Sequence, residues 1–259
     1  MDYARQIAWA QAQIQREGDY RGQILYSGES CVIIATKVPP HVDGPPRHRH
    51  SSDQTYVVLE GQLTIELGHD VKTAGPGSLV FIPAGLPHHN WNEGDEDEVH
   101  LEVIAPGVLP IQPLASPTES ADSTGPSGFV RDPDASKLTG QGFGLDWLVN
   151  RELGADHAAV YLAEVAASAA TPPLHVHQFD QFYFVREGVL SIEVALHRFE
   201  AEPNTLVVLP AGVPHRQWNE RGTPERHLTI LAPEPALPHS ASHPWDVAVE
   251  LTLTGQHIG

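Results

Sequence analysis

A single offset organises this sequence. Residues 45–106 open PPRHRHSSDQTYVVLEGQLTIEL, and residues 172–233 open PPLHVHQFDQFYFVREGVLSIEV. His48 lines up with His175, Gln54 with Gln181, Gly61 with Gly188, His88 with His215 and Asn92 with Asn219, each pair 127 positions apart. The two blocks align without a gap and about half of their positions are identical, so the chain holds two copies of one folding unit. Its 259 residues are enough to bury a core in each copy. The match fades upstream, where Cys31-Val32-Ile33-Ile34 lies opposite Ala158-Ala159-Val160-Tyr161. The expected division is a first domain over 1–110 with an N-terminal extension, a linker over 111–128 and a second domain over 129–259. The linker reads IQPLASPTESADSTGPSG, rich in Pro, Ser, Thr and Gly. Tyr3 to Glu17 lacks Gly and Pro and is expected to form a short helix covering a barrel end.

Inside each copy the pattern is β. Gln62-Leu63-Thr64-Ile65-Glu66-Leu67 alternates polar and apolar residues with period two, as does Val189-Leu190-Ser191-Ile192-Glu193-Val194. Turn signals recur at Glu60-Gly61, Gly75-Pro76-Gly77 and Ala84-Gly85 and at their second-copy equivalents. The 23 Pro and 22 Gly are spread along the chain, which suits short strands in a sandwich or barrel. Net charge is −18, from 15 Lys+Arg against 33 Asp+Glu, and such a surface repels phosphate backbones and anionic lipid. Nucleic acid and membrane are therefore not expected partners. The run Glu93-Gly94-Asp95-Glu96-Asp97-Glu98 is expected to be a solvated hairpin loop. A lone Cys31 excludes an internal disulfide and, within an apolar stretch, reads as a core residue. With no signal-type N-terminus and no long apolar run, the expected location is the cytoplasm.

The histidines carry the chemistry. His48 and His50 are two apart, so on a strand both imidazoles enter the same space, and Gln54 follows at the same parity. His88 follows the Pro83-Ala84-Gly85 turn and can face the same interior from a neighbouring strand. The second copy repeats the set with His175, His177, Gln181 and His215. One cluster could be an accident in a chain with 16 His; two at a fixed offset argue for a metal site in each copy. Imidazole suits Zn, Cu, Fe, Co and Ni, and the amide oxygen also admits Mn. Fewer than six protein ligands leaves positions open for water, substrate or dioxygen.

These residues resemble the cupin motifs G(x)5HxH(x)3,4E(x)6G and G(x)5PxG(x)2H(x)3N. The first is present as His48-x-His50-x3-Gln54-x6-Gly61 and the second as Gly77-x5-Pro83-x-Gly85-x2-His88-x3-Asn92. The second copy gives His175-x-His177-x3-Gln181-x6-Gly188, then Asn204-x5-Pro210-x-Gly212-x2-His215-x3-Asn219. The chain is thus similar to bicupins such as flavonol dioxygenases, oxalate decarboxylases and gentisate dioxygenases. That resemblance implies an all-β protein of two tandem jelly-roll barrels, each with a divalent Fe, Mn, Ni, Co or Zn ion in its interior. Three departures stand out: Gln replaces the usual Glu ligand in both copies, the opening Gly of the first motif is unclear, and Asn204 replaces the opening Gly of the second. Asn tolerates a left-handed turn.

A Glu ligand brings charge and can act as a base; Gln brings neither. Four neutral protein ligands leave the metal its full charge, which favours a substrate presenting an anionic or readily ionised oxygen. The expected function is a metal-dependent dioxygenase of a small enolic, phenolic or keto-acid molecule. Gln54 and Gln181 weaken the specific flavonol assignment. Three-His, one-Gln sites look more like those of the bicupin isomerase of bacilysin biosynthesis and of cupin hydroxynitrile lyases, so a non-oxidative isomerase or lyase is the alternative. A non-catalytic small-molecule-binding cupin is the third reading. Tyr56 and Tyr183, two places after each Gln, either donate to substrate as catalytic residues or pack against the barrel. His100 and His227 either line the cavities or pair through repeat symmetry alone. Trp91 and Trp218 are expected to pack near each motif's end, and the remaining histidines to lie on the surface or in loops. Phe179, Phe182 and Phe184 suggest a more apolar second pocket than Ser52, Thr55 and Val57 give the first, hence sites of different preference. Two barrels in one chain can act as an internal pseudo-dimer in a monomer, or dimerise further.

Overall fold

The computed structural model describes residues 3–107, 127–138 and 142–235, with the backbone of Gln112–Pro113 and Val247–Ala248. Most of the expected linker, and His239, His243 and His257, lie outside the described residues. The regular structure of the described chain is almost all strand, and its helices are three-residue 3-10 turns. Among the described residues no helix is long and apolar enough to cross a membrane.

Each repeat folds into a large and a small antiparallel sheet. In the first, Asp53–Glu60 sits between Leu79–Ile82 and Glu98–Ala105, with Val32–Val38 and Arg21–Ser27 beyond. The small sheet runs Gln112–Pro113, His48–Arg49, His88–Trp91, Leu63–Leu67, Asp70–Ala74. The second repeat matches it except for Ile14–Gln15, an extra edge strand beside Arg21–Ser27, with Asp180–Glu187 central in the large sheet and Val247–Ala248 beside His175–Val176 in the small one. The period-two pattern explains the layering. Tyr56 and Val58 point into the first barrel with Leu63, Ile65 and Ile82, while Val57 and Leu59 point outward.

Those outward faces meet. One apolar core joins Phe81, Leu101 and Val103 of the first repeat to Phe182, Phe184 and Ile230 of the second. The Tyr26 and Phe182 rings lie 4.6 Å apart across it. The large sheets also exchange edge strands. Ala4–Gln6 pairs with Thr205–Leu209 of the second barrel, and Phe129–Arg131 pairs with Leu79–Ile82 of the first. The expected helix over Tyr3–Glu17 is therefore replaced by the strands Ala4–Gln6 and Ile14–Gln15 with short 3-10 turns between and after them. An edge partner some two hundred residues away satisfies the backbone that a helix would have satisfied locally. Pseudo-twofold polar contacts complete the join. Asp53 Oδ2 accepts from the Asp156 N–H at 2.7 Å, and Asp180 Oδ2 accepts from Ser30 Oγ at 2.6 Å.

The motif glycines and asparagines are structural. Gly61 and Gly188 have φ of +69° and +75°, and a Cβ at either would meet the carbonyl of Asp97 or Pro224 at 2.4 and 2.8 Å. Asn204 adopts φ of +65° where Gly77 has +90°. The Asn92 amide bridges the carbonyls of Val38 and Glu96, and the Asn219 amide those of Val165, Ala166 and Thr223. Cys31 is fully buried, and burial pushes its thiol up to about 12, as a core residue requires.

Phe182→Ala removes a fully buried ring from the shared core. We expect it to cost about 3–5 kcal/mol in urea unfolding; a loss under about 1 kcal/mol would mean that the barrels do not depend on each other's core.

Candidate metal centres

The strand His48–Arg49 lies directly against His88–Trp91, with His48 opposite His88; in the second barrel His175 lies opposite His215. His50 and His177 follow at the same parity. In each barrel the three imidazoles are buried and their ring nitrogens converge within 4.8 Å of one another. Ring centroids are 5.9, 4.3 and 5.1 Å apart in the first set and 6.2, 4.5 and 4.7 Å in the second. Fold and repeat thus build one constellation twice.

The hydrogen bonds prescribe how these rings present themselves. His48 Nδ1 lies 2.8 Å from the Pro46 carbonyl, His50 Nδ1 2.8 Å from that of Ser52, and His88 Nδ1 2.9 Å from that of Leu86. His175, His177 and His215 repeat this against Pro173, Phe179 and Val213 at 3.1, 2.8 and 2.9 Å. A carbonyl can only accept, so each Nδ1 carries the proton and each Nε2 is left with a bare lone pair. His88 Nε2 and His215 Nε2 are buried without a hydrogen-bond partner. Burial holds His88 well below its ordinary pKa, lowers His48, and lowers His215 to about 3, keeping all three neutral near pH 7.

Gln54 and Gln181 stand on the central strands beside these rings. Gln54 Oε1 is 2.9 Å from His50 Nε2, and Gln181 Oε1 is 2.6 Å from His177 Nε2. With Nδ1 donating, each pair sets one lone pair against another, an arrangement that a cation between them would relieve. Orphaned Nε2 atoms, opposed lone pairs and a neutral N/O donor set all fit a divalent transition metal. Each set could hold one.

Inward positions on the glutamine strand and on the strand beside it are equally symmetric, with one exception. Tyr56 and Tyr183 are nearly fully buried, and their rings lie 4.5 Å from those of His100 and His227. His100 Nδ1 lies 2.9 Å from Glu98, and His227 Nδ1 2.9 Å from Glu225. Burial pushes His100 down, but the Glu98 carboxylate outweighs it and the net shift is upward. Glu98 is fully buried, so the acidic run expected to be solvated ends inside the barrel. Its match to Glu225 at the repeat offset was the available signal.

The exception is Glu102, whose counterpart is Thr229. Glu102 is the hydrogen-bond acceptor of Gln54 Nε2, and burial raises its carboxyl, a net upward shift that His100 and Gln54 only partly offset. Thr229 Oγ1 is buried with no partner. No motif flags either residue; only a polar mismatch at an inward position of the repeat does. Phe182 and Phe184, expected beside the second set, face the shared core instead, because residues adjacent to Gln181 and Tyr183 point to the opposite face. Phe179 does reach the site and stacks on His177 at 4.0 Å. Trp218 is nearly buried between Arg198 and Arg216, whereas Trp91 is half-buried against His89.

The cupin-domain family matches residues 35–105 and again 161–231, together more than half of the chain. Solved structures share the fold. Salicylate 1,2-dioxygenase from Pseudoaminobacter salicylatoxidans, in adducts with gentisate, superposes with a TM-score of 0.69 at 15% identity, covering 88% of this chain and 81% of that one. Oxalate decarboxylase superposes with a TM-score of 0.67 at 15% identity, covering 96% and 79%. At such identities the likeness is one of fold. Among curated sequences, auxin-binding protein T92 of Nicotiana tabacum is 32% identical over 71 residues, and an uncharacterized protein of Streptomyces coelicolor is 33% identical over 57. Those matches take in 23% and 22% of this chain and span 38% and 53% of the relatives' lengths.

The lowered pKa values fix the sign of a pH effect. The unfolded chain protonates its histidines near 6.5 while folded His215 resists down to about 3, so stability is full above 6.5 and falls as pH drops below it. For metal-free protein we expect a lower melting temperature at pH 5 than at pH 7.5, with a smaller drop in His215→Asn. An unchanged drop in that variant would contradict the neutral-imidazole assignment.

Proposed function

This chain belongs to the cupin family in both of its halves, and we propose that it is a divalent-metal-dependent dioxygenase acting on a small enolic, phenolic or keto-acid substrate. The observation that carries the reading is the pair of buried imidazole triads, each with a glutamine oxygen turned onto one of its Nε2 atoms. We assign His48, His50, Gln54 and His88 to one cation and His175, His177, Gln181 and His215 to a second. An Fe, Mn, Ni, Co or Zn ion there supplies a positive centre for an ionised substrate oxygen and, when redox-active, a partner for dioxygen.

The protein's own residues do the rest. The six carbonyl anchors hold the imidazoles in one tautomer and one orientation, so little reorganisation accompanies binding. Apolar side chains on the neighbouring strands, Val32, Ile34 and Ile104 in the first barrel and Tyr161, Phe179 and Leu231 in the second, keep the surroundings of low polarity and strengthen the pull on an oxyanion. Tyr56 keeps its phenolic proton, because burial and the Glu102 carboxylate hold its pKa well above 10, and so remains a donor. We assign Tyr56 and Tyr183 the task of donating to substrate or orienting the groups that do. The fold shared with a salicylate dioxygenase that takes up gentisate, a phenolic acid, supports the substrate class.

One observation favours the non-oxidative alternative. Gln54 and Gln181 cannot act as bases, but Glu102 beside Gln54 can take up and return a proton without dioxygen. Oxygen uptake by metal-reconstituted protein, screened against hydroxybenzoates, catechols, flavonols and α-keto acids, separates the readings. We expect saturable oxygen consumption with at least one class, falling at least 100-fold in His88→Ala/His215→Ala. Substrate conversion without oxygen uptake would replace the dioxygenase with an isomerase or lyase. Metal and ligand binding without conversion would make it a binding protein.

A further inference from the structure

On the strand beside each glutamine, the two metal centres differ at one inward polar position. Along the strand next to the glutamine, the first barrel presents Glu98, His100, Glu102 and Ile104, and the second presents Glu225, His227, Thr229 and Leu231. Three of the four pairs are conservative or identical. The fourth exchanges a carboxylate for a hydroxyl.

That exchange falls on the glutamine itself. Gln54 Nε2 donates to Glu102 Oε1 while Gln54 Oε1 faces His50. The bond settles which amide atom meets the histidines, since a flipped amide would set its oxygen against a carboxylate. It also polarises the amide toward its oxygen, and the ionised carboxylate would place a negative charge one hydrogen bond beyond the glutamine of a cation held there. The carboxylate that the glutamine lacks as a direct ligand is thus returned one hydrogen bond farther out. In the second barrel Thr229 Oγ1 makes no hydrogen bond and cannot anchor Gln181. Phe179, where the first barrel has Ser52, adds apolar surface beside His177.

We propose that Glu102 is a positioning residue that makes the first centre the tighter divalent-cation site, so that the two centres fill in order, first barrel before second. The inference rests on the reading that both constellations hold a cation. Partners of metal-ligating groups commonly change affinity by about 10–100-fold, and the same separation is expected here. The second centre then keeps more net positive charge and exchanges its ion more readily.

Titration of chelator-stripped full-length protein with Co(II), followed by its visible absorption and by equilibrium dialysis, tests this. We expect two steps separated by at least tenfold. His48→Ala should leave only the weaker step and His175→Ala only the tighter. Glu102→Gln, which keeps an acceptor but removes the charge, should weaken the tighter step by about 10–100-fold, and Thr229→Glu should tighten the weaker one. Two steps of equal affinity, or a tighter step lost in His175→Ala, would overturn the proposal while leaving the metal reading intact. So would Glu102→Gln and Thr229→Glu both binding as the wild type does. No Co(II) bound by either barrel would instead sink the metal reading itself. Should Glu102→Gln fail to fold, the wild-type steps assigned by the two histidine variants, together with Thr229→Glu, decide the question.

Discussion

Six hydrogen bonds from imidazole Nδ1 to backbone carbonyls set how both histidine triads present their rings. Each spends a ring's one proton on an acceptor that cannot return it, and so turns a bare Nε2 lone pair into the barrel. Four of the six acceptors lie two residues before their histidine and two lie two residues after, so the anchor comes from the same strand or turn that carries the ring. The site is consequently as rigid as the sheet. Rings packed this closely, with a glutamine oxygen against one of them, could hold a cation.

Duplication supplies the frame. Residues of one parity on the central strands face the metal constellations, and residues of the other parity form the core between the barrels. Each large sheet also borrows an edge strand from the other half of the chain. Function and assembly therefore occupy opposite faces of the same strands. The second copy is free to vary on its inner face without disturbing the join, and Glu102 against Thr229 is one place where it has done so.

The barrels and the eight constellation residues were legible because both rest on short-range rules. Period-two alternation places His48, His50 and Gln54 on one side, and the fixed offset repeats the set. What escaped depends on partners that sequence spacing does not reveal. Ala4–Gln6 is a strand because Thr205–Leu209 offers it an open edge. Glu98 looked solvated within an acidic run, yet its strand turns inward at that residue and His100 pairs with it. Phe182 and Phe184 were within reach of the alternation rule, since each neighbours an inward residue and must point outward. Glu102 carries no motif, and its importance appears only once Gln54 is seen to donate to it.

We propose that each triad of Nε2 atoms, with its glutamine oxygen, encloses one cation. Anomalous diffraction at the cobalt edge from crystals of the Co(II)-loaded protein locates such ions. Two peaks per chain are expected, one inside each barrel, about 2.1 Å from the three Nε2 atoms of its triad and bonded to Oε1 of Gln54 or Gln181. Peaks confined to the surface, or rings turned so that Nδ1 faces the ion, would contradict it.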